Sequence, residues 1–189
     1  RRVLFDRYRL EDVAIKVVGI GSVGTRCYVG LFFSVENHPL LLQFKEVCPS
    51  VLAPYAGNSA YPNQGQRVVT GQRLMQSSSD IFLGWTRGRK GHHFFGRQLR
   101  DMKLSFPIEL APPKGLRLYA EVCGWTLARA HAKSGDAATI SGYLGRSDDF
   151  DRAIGRFALA YADQNERDHA ALAAAASSGR IEALVEEDL

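Results

Sequence analysis

Gly19-Ile20-Gly21-Ser22-Val23-Gly24, followed further on by Leu42-Gln43-Phe44-Lys45, is the stretch that decides how this chain is read. A glycine pattern of this length arises by chance, so its flanks carry the weight. Val13-Ala14-Ile15-Lys16-Val17-Val18 precedes it, β-branched and alternating. Cys27-Tyr28-Val29-Gly30-Leu31-Phe32-Phe33 follows it and is also strand-like. The glycines therefore sit at the tip of a hairpin. A dinucleotide fingerprint needs its glycines to open a helix whose N-terminus faces the pyrophosphate. Nothing after Gly24 reads as a helix.

A glycine-rich hairpin lying over phosphates, with a lysine on the third strand, is the arrangement of protein kinases. Glycines let backbone N–H groups approach phosphate oxygens with no Cβ in the way. The lysine adds a point positive charge. On this reading Gly19, Gly21, Ser22 and Gly24 cover the phosphates of a nucleotide and Lys45 holds them. The same residues also fit an ordinary glycine-rich hairpin with Lys45 on a solvated face.

The 189 residues are 46% hydrophobic, enough for a core and for one or two domains. No apolar run approaches the roughly 20 residues of a membrane span, so no membrane partner is expected. No signal-peptide pattern stands at the N-terminus. The chain begins Arg1-Arg2 and its first methionine is Met75, which reads as the later part of a longer protein. Cys27, Cys48 and Cys123 are odd in number and widely spaced, as in a reduced, cytoplasmic protein. The net charge of +4 suits phosphate-bearing ligands without demanding nucleic acid.

Residues 12 to about 47 read as three strands, the last two joined by Glu36-Asn37-His38-Pro39. A loop from Pro49 to Gly65 is rich in turn formers, and Gln66 to Gln76 has helical spacing. Ile81 to Thr86 and Phe94 to Leu99 read as a hairpin around Arg87-Gly88-Arg89-Lys90-Gly91. Patterning thus predicts an α+β fold: a five-stranded antiparallel sheet with one helix inserted after the third strand. The strand and helix order is that of a kinase small lobe. After Pro107 the composition turns helical. Pro112-Pro113 opens one helix that Gly135 stops, and Ala137 to Leu144 forms a short one. A long helix follows Ser147 as N-cap and carries Phe150, Ile154, Phe157 and Tyr161. Two parts are expected, 1–106 and 107–189, with Glu186-Glu187-Asp188 as a frayed tail.

The stretch 85–103 interleaves Arg87, Arg89, Lys90, His92, His93, Arg97, Arg100 and Lys103 with Trp85, Phe94 and Phe95. Such a basic-aromatic hairpin suits nucleic acid, through phosphate contacts and base stacking. The alternative is a solvated hairpin whose aromatics alternate into the core. Neighbouring His92 and His93 face opposite sides of a strand, which argues against a shared metal. Asp101 reads as a surface ion-pair partner of Arg100 and Lys103. Asp163, Asn165, Glu166 and Asp168 read as a solvated helix face, and His131 as a packed or capping histidine.

Val17 to Cys27, Gly71 to Trp85, Arg97 to Lys103, Cys123 to Asp136 and Ala160 to Asp168 together resemble a bacterial family. It is the one catalogued as domain of unknown function 2252. The resemblance covers nearly the whole chain, and Gly71 to Lys103 is its most specific run. Members are about twice this length, so the chain resembles their C-terminal half. Their upstream half carries a G-D-x-H-x-x-N segment and a D-x-N-D-F-D-like run, similar to a kinase catalytic loop and metal-binding aspartate. The resemblance implies a kinase-like, aminoglycoside-phosphotransferase-like fold in permuted order. It further implies ATP and Mg as cofactors, a small-molecule or protein acceptor, and the upstream half as the partner that completes the site.

Two departures follow from the residues themselves. Between Glu46 and Glu109 there is no glutamate, and the inserted helix offers Gln66, Gln72 and Gln76 where a kinase lysine finds a carboxylate. Ser141 stands five residues after Asp136, where a metal-binding Asn would follow a catalytic Asp, so Asp136 is read as a turn residue. No catalytic or metal-binding residue is assigned within the chain.

Overall fold

The computed structural model describes residues 5–100 and 105–182. Asp101, Lys103 and the acidic tail Glu186-Glu187-Asp188 lie outside the described residues. Five strands, β1 (Tyr8–Ile15), β2 (Cys27–Ser34), β3 (Pro39–Glu46), β4 (Gly84–Arg87) and β5 (His93–Gln98), form one sheet. Its order is β1-β2-β3-β5-β4 and every pair is antiparallel. The fold is α+β, with the helix inserted after the third strand as the patterning predicts.

β1 starts earlier than its β-branched run suggests. Tyr8 already pairs with Ser34, and an irregularity between Leu10 and Asp12 shifts the register. Its C-terminal end comes sooner, at Ile15, although the Lys16 N–H still donates to the Cys27 carbonyl at 2.9 Å. The β2–β3 turn centres on Asn37 at φ 65°, a left-handed conformation that asparagine tolerates. β4 is shorter than the run Ile81 to Thr86. Phe82 and Leu83 precede it in a turn yet are buried, so their hydrophobicity reflects the core and not a ladder.

Along β3, Leu40 and Leu42 point to one face and meet Phe82, with Phe5, Tyr8, Phe32 and Phe44 packed around them. After the helical turn α1 (Ala53–Ala56), helix α2 (Gln64–Met75) covers part of the other face. It begins two residues before the predicted start because Asn63 caps it, accepting the Gln66 N–H at 3.2 Å. α2 docks closely: a Cβ on Gly65 would lie 2.2 Å from the Phe94 carbonyl oxygen. Val69, one turn on, is fully buried.

Helix α3 (Pro113–Ser134) packs against α2, and Lys133 donates to the Gln76 carbonyl at 3.0 Å. The chain divides into two compact units, 1–137 and 138–189. The second unit holds most of α4 (Ala137–Leu144) and all of α5 (Asp149–Ser177). The N-cap of α5 is Asp148 and not Ser147, but Ser147 still serves the helix start. Its hydroxyl oxygen lies 3.4 Å from the Asp149 N–H and donates to the Asp149 carboxylate at 2.8 Å. Among the described residues, no helix is long and apolar enough to cross a membrane.

Candidate functional site

The glycine segment joins the edge strand β1 to its neighbour β2, so the hairpin reading holds in its topology. It is not a tight tip. Residues 16–26 form the connection, and Ile20–Ser22 make one turn of 3-10 helix, with the Ser22 N–H donating to the Gly19 carbonyl at 2.9 Å. Gly24 has φ +78°, a conformation that L side chains rarely adopt. The Thr25 hydroxyl donates to the Ser22 carbonyl at 2.7 Å and fixes the exit of the turn. A Cβ added at Gly19, Gly21 or Gly24 would meet nothing within 4 Å. The segment therefore leaves its backbone open to an approaching group.

A cavity of about 330 Å³ opens beside this segment. Ser22 and Gly24 line it, along with Lys16, Arg26, Cys27 and Tyr28. Gly19, Gly21 and Lys45 do not. Lys45 lies on the neighbouring strand, in register with Cys27 on one side and Phe95 on the other. Its side chain is half-buried and makes no hydrogen bond or ion pair with a described residue. Phe95 in turn pairs with Trp85, whose ring lies under the Arg73 guanidinium of α2 at 5.7 Å. Directly paired residues share a sheet face, so Lys45 and α2 lie on the same side of the sheet.

Three polar side chains, Glu46, Arg26 and His92, gather at this end of the sheet. Glu46, with its side chain 8% exposed, accepts from the Arg26 backbone N–H at 3.0 Å and from its guanidinium at 2.9 Å. His92 Nδ1 lies 2.9 Å from the same carboxylate. Burial pushes the Glu46 carboxyl up, but the Arg26 N–H, the Arg26 guanidinium and His92 together hold it below its ordinary value. A second polar group lies on the Lys45 face. The buried Gln43 amide donates to Cys27 Sγ at 3.4 Å, and its carbonyl oxygen is 3.5 Å from the Arg97 guanidinium.

The basic hairpin spends much of its chemistry internally. His93 Nδ1 accepts the Gln64 N–H at 3.2 Å, so His92 and His93 engage different elements. Phe94 is buried against Tyr28, and Trp85 pairs with Arg73. Elsewhere, Asp168 accepts from Gln164 at 2.7 Å along α5, a solvated helix contact. His131 stands in the last turn of α3, where its carbonyl accepts the Gly135 N–H at 2.8 Å.

The profile of a bacterial family described as uncharacterised proteins conserved in bacteria, DUF2252, matches residues 1–175. The chain belongs to the DUF2252 family. Neither the curated proteins nor the solved structures give a match to it.

In this DUF2252 chain the sequence pattern points to Lys45 and the glycines, and to Arg97 only as part of the basic hairpin, but passes over Arg26, Gln43 and Glu46. A signal for one of them, Gln43, was present. Gln43 and Lys45 alternate with Leu42 and Phe44, which places both on the face opposite the core. Glu46 and His92 are far apart in sequence, and only strand pairing brings them together.

Proposed function

We propose that the chain is the nucleotide-binding part of a kinase-like phosphotransferase that uses ATP, with its catalytic loop upstream of Arg1. The observation that carries this reading is the pairing of Cys27 with Lys45. Cys27 closes the glycine segment, so an open glycine-rich backbone and an ammonium with no partner among the described residues come together at the same end of the sheet. A phosphate chain lying under this segment would receive the backbone N–H groups of Gly19, Gly21 and Gly24, with Ser22 offering its hydroxyl because its N–H is spent on the Gly19 carbonyl, and Lys45 would supply positive charge.

α2 lies on the Lys45 side of the sheet and carries no carboxylate to pair with Lys45. Phosphate charge is then what balances the ammonium. Among the described residues no group of three or more His, Cys, Asp or Glu side chains is arranged to hold a metal. Magnesium on a nucleotide is held by one or two carboxylates together with the phosphates themselves, and on this reading those carboxylates come from the upstream half. Phe94 is buried against Tyr28, and the Trp85 ring, though exposed, is faced by the Arg73 guanidinium, so the hairpin has fewer free rings for base stacking. That favours the nucleotide reading over a nucleic-acid interface on the hairpin 85–103.

Calorimetry with ATP tests the proposal. Replacing Lys45 with Met should weaken binding by about 1.5–3 kcal/mol, the range for a hydrogen bond to a charged group. Equal affinity of the two proteins would make Lys45 a surface residue and remove the proposal's main support.

A further inference from the structure

A second and larger cavity, of about 660 Å³, lies where α2 ends beside β5. Its polar wall includes Gln72, Gln76, Ser79, Asp80, Arg97 and Arg100. The volume is that of a small-molecule site. Neither Lys45 nor the glycine segment lines it.

Among the described residues of this wall, the basic groups Arg97 and Arg100 outnumber the one acid, Asp80. Arg97 has its Nε buried with no hydrogen-bond partner, and its only described acceptor is Gln43 at the 3.5 Å limit. Arg97 as a whole is half-buried, and a guanidinium N–H shielded from water without an acceptor is costly. Asp80 is the acid on the wall, but both of its oxygens are engaged. One accepts the Phe82 N–H at 2.8 Å and the other the Gln98 N–H at 2.5 Å. Arg100 is exposed and forms no ion pair with a described residue. The carbonyl end of α2 would repel an anion, yet there the Lys133 ammonium donates to the Gln76 carbonyl. Arg73 of α2 brings a further cation to the same corner; its guanidinium donates to the Leu83 carbonyl, and Leu83 lines the cavity.

We propose that this cavity binds a small anionic molecule, carrying a phosphoryl or carboxylate group, held by the guanidinium groups of Arg97 and Arg100. Gln72, Gln76 and Ser79 hydrogen-bond the rest of the ligand. The site is separate from the nucleotide reading and does not rest on it.

Calorimetry and thermal melting of the 189-residue chain test this, with inorganic phosphate and citrate as probes at constant ionic strength. Saturable one-site binding of either probe is expected, with phosphate preference marking a phosphoryl ligand and citrate preference a carboxylate one. Arg97→Gln and Arg100→Gln should each weaken that binding about tenfold or more, the scale of a lost charged hydrogen bond. Lys45→Met should leave it within about twofold, as for an independent site. Arg100 is exposed, so Arg100→Gln reports on the site even where Arg97→Gln disturbs folding, which circular dichroism registers. No saturable binding of either probe, unchanged affinity in Arg100→Gln, or a loss in Lys45→Met equal to that in the arginine variants would each overturn the proposal.

Discussion

Glu46 grips Arg26 twice, by its backbone N–H at 3.0 Å and by its guanidinium at 2.9 Å. Arg26 is two residues past Gly24, and Glu46 is next to Lys45. The pair therefore ties the exit of the glycine segment to the strand that carries the candidate phosphate-binding ammonium. His92 joins from the β4–β5 hairpin, so one carboxylate braces three parts of the sheet.

Replacing Glu46 with Gln should cost about 1–2 kcal/mol of stability, since the amide keeps one acceptor but loses the charge. The figure stays below that of a fully buried ion pair because Arg26 is half exposed. Urea unfolding of the two proteins measures it. A change within error would make the cluster a solvated surface feature.

The same carboxylate sets a pH dependence. Its folded pKa lies below the ordinary value of 4.5, despite the upward push of burial. The unfolded chain then binds more protons than the folded one between these two values. The stabilisation is fully present above about pH 4.5 and is lost as pH falls through the lowered folded value. The advantage of wild type over Glu46→Gln should shrink across that window in urea titrations taken stepwise to lower pH. An advantage that grew on acidification would contradict the assigned direction.

The strands and the inserted helix were legible because their causes are local. Alternating Leu40 and Leu42 and the β-branched run from Val13 to Val18 each mark a strand without reference to the rest of the chain. Asn63 illustrates a missed local cue: it stands three residues before Gln66 and caps the helix, but the turn formers around it read as loop. Phe82 and Leu83 were misread as strand because hydrophobicity marks burial as readily as pairing. The glycine segment was legible as a connection between strands, whereas its 3-10 turn was not, since Ile20–Ser22 carry no distinctive turn residues beyond Gly21. The Arg26–Glu46–His92 cluster was beyond reach, because its members meet only through the register of β2, β3 and β5.

Gly65 is predicted to be the least replaceable glycine of α2. A methyl group there would press on the Phe94 carbonyl, which β5 holds in place. Gly65→Ala gains helix propensity of up to about 1 kcal/mol, but overpacking against backbone costs about 1–3 kcal/mol. A net loss of stability is expected by thermal or urea unfolding, with a partial shift of α2 from the sheet. A stabilised variant would mean that α2 docks less closely than described.

Gly21 and Gly24 separate what the fold needs from what a nucleotide needs. Gly24 holds φ +78°, so Gly24→Ala forces an L residue into the left-handed region at a cost of about 1–2 kcal/mol. Gly21 has no such conformation, and its added Cβ meets nothing within 4 Å. Gly21→Ala should therefore change stability by no more than about 0.5 kcal/mol, or raise it slightly by restricting the unfolded chain. If a phosphate chain does lie under this segment, that harmless methyl group stands where backbone must approach oxygen. ATP affinity should then fall in Gly21→Ala while its melting temperature stays put. Unfolding curves and ATP calorimetry on the same preparations read both effects. Unchanged affinity in a stably folded Gly21→Ala protein would leave the glycines as turn formers only and count against phosphate binding at this segment.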